Sequence, residues 1–252
     1  MINQLITQIN KLKDSEAAKT IDTRIKEFEQ QGKKKEQDVF SELCFCLMTA
    51  NFDAEKCIRI QKELDRAKGF EILPQDKLAQ ELKKSGHRFP NTRANYITQA
   101  RSCSLELHNA IMKKDGQQMR NWLIENVKGL GMKEASHFLR NIGYKDVAII
   151  DFHILDLLEK HNLIKKLDSG FNKSRQTPPQ NRVGFQPKAE SSGELLKPEE
   201  SENLPIIKSK SLTKDKYLEI EKILKNLANQ TNLNLAELDL YLWYLETGKI
   251  LK

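Results

Sequence analysis

The sequence predicts an all-α protein. Apolar residues recur at the three- and four-residue spacing of amphipathic helices along most of the 252 residues, and no run of alternating strand pattern separates these segments. The length is compatible with one large domain or with two smaller helical domains that share a cleft. We therefore expect two helical subdomains flanking a cleft.

The first part of the chain divides into short helices with recognisable starts. Helical spacing occurs over 2–12 and 21–28, and a denser apolar run over 39–48 predicts a buried helix. Asp and Asn favour the position before a helix because their side chains accept hydrogen bonds from its first amides. The N-caps predicted on this basis are Asp38, Asp53 and Asn91.

The last segment, 235–252, is compatible with two kinds of element. Leucines alternate over 238–242 as they would in a strand. Asn234 and Glu237, however, have the spacing of a capping box, and Gly248 lies where a helix would end. We predict a helix because these two end signals agree with each other.

Residues 165–205 differ from the rest of the chain in composition. They contain five of the seven prolines and almost no apolar periodicity, so they cannot bury enough surface to offset the entropy of ordering them. Their seven basic and six acidic residues leave most of the net charge of +7 on the remaining chain. We predict a disordered insertion, with 1–164 and 206–252 together forming one folded unit.

The composition also favours an intracellular protein with a polyanionic partner. A net charge of +7 suits nucleic acid, although many cytosolic proteins are equally basic. There is no apolar stretch of about 18 residues and no signal peptide, so we expect a soluble, cytoplasmic protein. The four cysteines lack the spacing of zinc or iron-sulfur sites, which predicts buried thiols and no metal or cofactor.

The most informative segment is 122–142, where a predicted apolar helix meets Gly129-Leu130-Gly131 and a second helix follows at once. Two glycines without Cβ atoms allow a tight hairpin whose backbone can approach another surface closely. The free amides and the positive dipole at the start of the second helix would bind a DNA phosphate. The DNA contacts predicted there are Lys128, Gly129 and Gly131.

Two residues near this hairpin could carry chemistry. Lys133 lies on the first turn of the second helix, where the positive helix end and partial burial disfavour the ammonium form and so favour a nucleophilic amine. Asp151 follows the apolar run 147–150 and could stabilise a sugar cation or accept a proton from the lysine. Taken singly, Lys133 could be a surface lysine, Asp151 an N-cap, and the hairpin a non-enzymatic DNA clamp.

The combination resembles a known signature. The arrangement G-L-G-x-K, followed by an aspartate before x-H-I, is similar to the helix-hairpin-helix and Gly/Pro-Asp motif of DNA glycosylases with lyase activity, although the proline is missing here. SELCFCLMTANFDAEKC and DLYLWYLETGKILK are similar to the archaeal-type 8-oxoguanine DNA glycosylase/AP lyase family. The lack of a cysteine cluster distinguishes the chain from endonuclease III-like relatives.

This resemblance implies an activity and its catalytic residues. Lys133 would attack the deoxyribose and Asp151 would assist, so that 8-oxoguanine is excised from double-stranded DNA and the abasic site is cleaved by β-elimination through a lysine Schiff base. No cofactor is implied, and we expect a monomer. Two alternatives stay open: a glycosylase of the same superfamily for another lesion such as an oxidised pyrimidine, and a catalytically silent DNA-binding module.

The resemblance also implies a base pocket. Phe89 and Trp243 are assigned to sandwich the flipped base, although both could equally be core aromatic residues. Lys252 is expected to recognise the lesion, with a backbone carbonyl or its terminal carboxylate accepting the hydrogen on N7. Asp239 is a weaker candidate for the N1 and N2 face of the guanine.

Overall fold

A computed structural model of the protein describes residues 2–166, 205–207 and 212–252. In these ranges the chain forms thirteen α-helices, a short 3-10 helix and one pair of two-residue strands. None of the described helices combines the length and the hydropathy needed to cross a bilayer. The elements are α1 (Ile2–Lys13), α2 (Glu16–Gln31), α3 (Glu36–Thr49), α4 (Ala54–Arg66), α5 (Gly69–Ile72), α6 (Gln75–Lys84), α7 (Pro90–Ala100), the 3-10 helix (Arg101–Cys103), α8 (Ser104–Ile111), α9 (Gly116–Asn126), α10 (Met132–Asn141), α11 (Phe152–Lys160), β1 (Lys165–Lys166), β2 (Ile206–Ile207), α12 (Lys214–Gln230) and α13 (Leu235–Thr247).

The helices enclose two hydrophobic cores. The first core is built by α3 to α10, and the second by α1, α2 and α11 to α13. The chain passes from the first core to the second between Val147 and Ala148, just before Asp151. Lys133, on α10, therefore belongs to the first core, whereas Asp151 leads into a helix of the second. The predicted all-α fold of two helical subdomains is confirmed.

Several predicted helix ends are also confirmed. The carboxylate of Asp53 accepts a hydrogen bond of 2.7 Å from the Lys56 amide at the start of α4. At the start of α13, Asn234 and Glu237 exchange the two hydrogen bonds of a capping box. Gly248 ends α13 in the left-handed region, with φ of 69°. The segment that could have been a strand is thus a helix.

Two predicted N-caps are wrong. Helix α3 begins at Glu36, so Asp38 lies in its first turn, where its charge still faces the positive helix end. Helix α7 begins at Pro90, one residue before Asn91, and Phe89 takes the N-cap position. Proline suits the first helical position because its fixed φ is helical and its missing N–H would have no partner there. That preference, and not the asparagine, determines where α7 starts.

The predicted insertion 165–205 lies outside the described residues except at its two ends. There β1 and β2 pair in parallel, with Lys165 opposite Ile206, and the Lys165 amide donates to the Pro205 carbonyl at 2.9 Å. Lys165, Lys166 and Pro205, which the prediction placed in the insertion, therefore belong to the ordered chain, because backbone pairing holds them where the segment leaves and returns. The division of the chain into an insertion and one folded unit otherwise stays a prediction.

The four cysteines are buried in the first core as free thiols. Burial raises the pKa of Cys44 and Cys46 well above the ordinary thiol value and that of Cys57 to about 12. The thiols therefore stay protonated and pack as small apolar groups, as the prediction of buried thiols required.

Candidate active site

The predicted hairpin connects α9 to α10. The Leu130 amide donates to the Val127 carbonyl at 3.3 Å, which closes the turn. Gly129 has φ of +96°, and a Cβ built on it would lie 2.3 Å from Cδ2 of Tyr96. Glycine is therefore required at this position both by the backbone conformation and by the close approach of the tyrosine ring.

Gly131 has a different role from Gly129. Its φ of −105° suits any residue, and a Cβ there would meet only the Glu134 carboxylate at 3.3 Å. Within the protein, no close approach requires a glycine at position 131, and its predicted role in DNA binding stays a prediction. Gly131 is the N-cap of α10, it provides no side-chain cap, and it is exposed together with Lys128. The first amides of α10 consequently face an open, positively polarised surface.

Lys133 is the second residue of α10, which places it beside this positive helix end. Its side chain is 32% exposed, enough to be reached from solvent, and its Nζ lies 3.9 Å from Oε1 of Glu134. About two thirds of the side chain is thus covered by the protein.

Asp151 is the N-cap of α11. Its Oδ1 accepts a hydrogen bond of 3.0 Å from the Ile154 amide, and the residue is half-buried. This contact confirms that Asp151 caps a helix, which was the simpler of its two interpretations. The cap bond uses one carboxylate oxygen and fixes the direction in which the charged group points.

Asp239, on α13, is buried within electrostatic reach of both Lys133 and Asp151. Burial raises the pKa of its carboxyl, the charge of Arg140 acts in the opposite direction, Asp151 adds to the rise and Lys133 opposes it. Its Oδ2 accepts a hydrogen bond from Nη1 of Arg140. The charges of both predicted catalytic residues therefore act on one buried carboxyl, although the two residues lie at helices of different cores.

The segment before Asp151 is held by the side chain of Tyr217, on α12. The tyrosine hydroxyl donates to the Ala148 carbonyl at 2.7 Å and accepts from the Ile150 amide at 3.1 Å. The hydroxyl satisfies these two buried backbone groups in the way that a neighbouring strand does in a β-sheet. In this way α12 determines the path of the chain into Asp151.

A buried ion pair adds to this connection between the cores. Arg120, on α9, donates to both carboxylate oxygens of Glu221, on α12, at 2.5 and 3.0 Å. Both side chains are at most 3% exposed, and Glu221 also accepts from the Ala148 amide at 2.9 Å. Burial alone would raise the pKa of Glu221, but the hydrogen bonds from Arg120 and Ala148 lower it overall.

Lys252 is anchored deep in the first core. Its Nζ donates to Oε2 of Glu42 at 2.8 Å and to Oε1 of Gln61 at 2.5 Å. The same ammonium lies 4.2 Å from the centroid of the Phe45 ring, a cation–π geometry. The last residue of the sequence is therefore fixed by its side chain against α3 and α4.

The main chain of Lys252 lies against His137, one turn after Lys133 on α10. Burial lowers the pKa of His137 well below its usual value, the charges of Arg140 and Lys133 add to this effect, and a hydrogen bond to the Lys252 backbone opposes it. The imidazole, which also packs edge-on against Phe45 with centroids 5.8 Å apart, is therefore neutral. His137 is thus influenced both by the charge of Lys133 and by the main chain of Lys252.

The two predicted base-stacking residues belong to different cores. Trp243, on α13, packs at 5.0 Å between ring centroids against His153. Phe89, before α7, is 36% exposed and has the guanidinium groups of Arg88 and Arg93 over its ring. Neither ring is fully buried, so neither is simply a core aromatic residue, and their role as a sandwich stays a prediction.

Some residues of the site were missed by the sequence reasoning. Glu42 had a usable signal, because it is a charged residue inside the apolar run 39–48. His137 and Arg140 follow Lys133 by four and seven residues, which places them on the same face of a helix. Tyr217 carries no such signal, since helical spacing alone predicts that it is an ordinary core residue.

Comparison with known proteins identifies the family of this chain. Residues 21–178 match the model of the 8-oxoguanine DNA glycosylase family with a helix-hairpin-helix motif. The 8-oxoguanine DNA glycosylase/AP lyase of Korarchaeum cryptofilum is 40% identical over all of this chain and 99% of its own length. The enzyme of Methanocaldococcus jannaschii is 42% identical over 98% of this chain and 99% of its length.

Solved structures agree with the sequence matches. The crystal structure of the Methanocaldococcus jannaschii 8-oxoguanine DNA glycosylase superposes with a TM-score of 0.78 and covers 99% of this chain and 96% of that one. That of Thermotoga maritima, 36% identical, also gives 0.78 and covers both chains fully. Fold and hairpin together define a helix-hairpin-helix DNA glycosylase. Within that class, the chain belongs to the archaeal-type 8-oxoguanine DNA glycosylase/AP lyase family.

Proposed function

We propose that this protein excises 8-oxoguanine from double-stranded DNA and then cleaves the strand at the abasic site. The relatives described above are named 8-oxoguanine DNA glycosylase/AP lyase. The Methanocaldococcus jannaschii enzyme has been crystallised with a 15-mer DNA containing 8-oxoguanine. One observation of this chain carries the proposal. Lys133 and Asp151, the amine and the carboxylate that the chemistry needs, lie at helices of two different cores, and the charges of both act on the buried carboxyl of Asp239.

DNA binding is assigned to the hairpin. The exposed Lys128, the main chain of Gly129 and Gly131, and the first amides of α10 would bind backbone phosphates without reading bases. The net charge of +7 adds attraction that weakens as salt increases.

The lesion would rotate out of the duplex into the cleft between the cores, a step that costs a few kcal/mol. Phe89 and Trp243 would stack on the extruded base, one from each core. A main-chain oxygen of Lys252 would accept the hydrogen on N7, which guanine lacks, and Asp239 is a weaker candidate for the N1 and N2 face. Selectivity then depends on how firmly Lys252 is held.

The chemistry begins at the amine of Lys133. Its nitrogen attacks C1′ of the deoxyribose, the bond from C1′ to the base breaks, and the base leaves with the bonding electrons. Asp151 would stabilise the positive charge that develops on the sugar and accept the proton lost by the amine. Opening of the sugar ring gives a Schiff base, which acidifies C2′, and β-elimination breaks the strand on the 3′ side.

Trapping of the imine tests this proposal. The wild-type protein, incubated with a duplex containing 8-oxoguanine and sodium borohydride, should form a covalent complex, because hydride reduces the Schiff base to a stable amine. Lys133→Ala should form none. Lys216→Ala, which removes an exposed lysine paired with Glu219 on α12, is the matched control and should trap normally. A silent DNA-binding module would form no complex in any variant.

Substrate choice is tested separately. Base release from duplexes that contain 8-oxoguanine should exceed release from duplexes that contain thymine glycol. Faster release of the oxidised pyrimidine would contradict the substrate assignment while leaving the Schiff-base chemistry intact.

Repair of chromosomal DNA implies where and how the protein works. We expect it in the cytoplasm, at the prokaryotic nucleoid, and as a monomer, since one chain provides both Lys133 and Asp151. Light scattering at the concentration used for the activity measurements would show a larger mass if this expectation of a monomer were wrong.

A further inference from the structure

The anchoring of Lys252 is unusually complete for the last residue of a sequence. Its ammonium has a carboxylate, an amide oxygen and an aromatic face as partners, and its main chain has His137. The side chain is only 21% exposed and the Glu42 side chain 4%. The charges of such a buried pair must compensate each other, since either one alone would be costly.

Glu42 in turn is fixed from its other side. Its Oε1 accepts a hydrogen bond of 2.6 Å from Nδ2 of Asn141, and the Asn141 Oδ1 accepts from Nη2 of Arg140 at 2.8 Å. Arg140 in turn donates to Asp239. The Glu42 carboxylate is therefore fixed between the Asn141 amide on one side and the Lys252 ammonium on the other.

Gln61 completes the anchor. Its Nε2 donates to the carbonyl and hydroxyl of Ser41 at 3.1 and 2.9 Å, which orients its Oε1 toward the Lys252 ammonium. The Gln61 oxygen is thus oriented independently of Lys252. Little conformational entropy is therefore lost when the Lys252 ammonium binds it.

We propose that Glu42 and Gln61 are positioning residues for base recognition: they hold the Lys252 ammonium so that the Lys252 main chain stays against α10, beside the reacting sugar. The inference rests on the proposed function, in which a main-chain oxygen of Lys252 contacts the lesion. Neither residue needs to touch DNA. They act on the base only through Lys252, and they have no part in cleaving a site from which the base is already missing.

Because Glu42 and Gln61 would affect base release and not abasic-site cleavage, a comparison of the two activities tests the proposal directly. Two substrates are compared under single-turnover conditions in the full-length protein: a duplex with 8-oxoguanine, scored by base release, and a duplex with a preformed abasic site, scored by strand cleavage. Glu42→Gln keeps the shape and an oxygen for Asn141 but removes the charge that holds Lys252. We expect base release to slow by at least about tenfold, since a displacement of about 1 Å can cost about a hundredfold, and abasic-site cleavage to change by less than about threefold.

A double variant separates positioning from general damage to the fold. Lys252→Met should also slow base release, but it leaves Glu42 buried without its cation and should lower the melting temperature. Glu42→Gln combined with Lys252→Met removes both charges and should recover stability, while base release falls no further than in the slower single variant. Such non-additivity is expected only if Glu42 acts through Lys252.

The matched control is Glu55→Gln. Glu55 pairs with Lys249 of the same C-terminal segment at 2.6 Å, but both side chains are about half exposed, so the pair contributes little. Both activities should stay within about twofold of wild type in this variant.

Three results would overturn the proposal. Unchanged base release in Glu42→Gln or in Lys252→Met would show that the anchor has no role in recognition. Equal loss of both activities in Glu42→Gln would show a purely structural role. A wild-type protein that cleaves abasic DNA but does not release 8-oxoguanine would overturn the substrate assignment and this inference with it, whereas normal wild-type activity with an unaffected variant overturns the inference alone.

Discussion

The interiors of the two cores and the junction between them differ in the residues that they bury. Most buried side chains of the cores are apolar, as in α3 from Leu43 to Met48, and the contacts of Lys252 with Glu42 and Gln61 in the first core are an exception. At the junction, buried charges face each other: Arg120 with Glu221, and Arg140 with Asp239. The cores provide stability, whereas the junction determines how one core is placed against the other.

The N-termini of α10 and α11 also differ, in whether a side chain caps them. Helix α10 has no side-chain cap, so its positive end is open to an anion, and it carries Lys133. Helix α11 is capped by the carboxylate of Asp151. In the proposed mechanism, the first subdomain would provide the DNA-binding helix end and the nucleophile Lys133, and the second would provide the negative charge of Asp151.

The largest effect is expected when the amine of Lys133, on a helix of the first core, is removed. Lys133→Gln should lower both base release and abasic-site cleavage by more than about a thousandfold, because the imine of the proposed mechanism forms on this amine. Affinity for the lesion duplex, measured by fluorescence anisotropy, should stay within about threefold. Substantial residual cleavage by this variant would mean that the nucleophile has been assigned to the wrong residue.

Removing the carboxylate charge of Asp151, at the start of α11 in the second core, should have the next largest effect. Asp151→Asn should slow base release by about a hundredfold or more, since asparagine cannot stabilise the sugar cation or take up the proton. Asparagine caps helices about as well as aspartate, so the free energy of unfolding should change by less than about 0.5 kcal/mol.

Asp53 is the matched comparison for that experiment. Like Asp151, it accepts a hydrogen bond from the amide three residues later, but it caps α4, a helix of the first core, and Asp53→Asn should leave both stability and rate unchanged. If Asp151→Asn behaved like Asp53→Asn, the aspartate would be a helix cap and nothing more.

Breaking an ion pair of the junction should cost stability. Glu221→Gln leaves Arg120 buried without its anion and should lower the free energy of unfolding by about 3–5 kcal/mol at neutral pH. The pKa of Glu221 is lowered in the folded protein, so its contribution is present above the unfolded value near 4.5 and is lost as the pH falls through the folded value. Urea titrations from pH 7 to pH 3 should therefore show the variant and the wild type converging in acid. Parallel curves would contradict this account of the pair.

The smallest effect is expected from a deletion in the segment between β1 and β2. A variant lacking residues 170–200 should retain excision, because β1 and β2 bring Lys166 and Pro205 close together and the seven residues left between them can span that gap. Base release and melting temperature both measure this. A dead variant would show that the segment contributes to the site and is not a dispensable loop.

The sequence by itself determined the local features of this protein. The all-α class, the hairpin before α10, the capping box of α13 and the positions of Lys133 and Asp151 could each be predicted, because each depends on residues a few positions apart. Predictions failed where two local signals competed, as at α7, where Pro90 and not Asn91 decides the helix start.

Only the tertiary structure decided which of these features meet. Glu42 and Lys252 are 210 positions apart and Arg120 and Glu221 are 101 positions apart, and no periodicity relates such residues. Their contacts follow from how the two cores pack, because a buried charge is tolerated only where the folded chain places an opposite charge beside it. The sequence contains the groups that the chemistry needs, and the packing of the cores selects which of them act together.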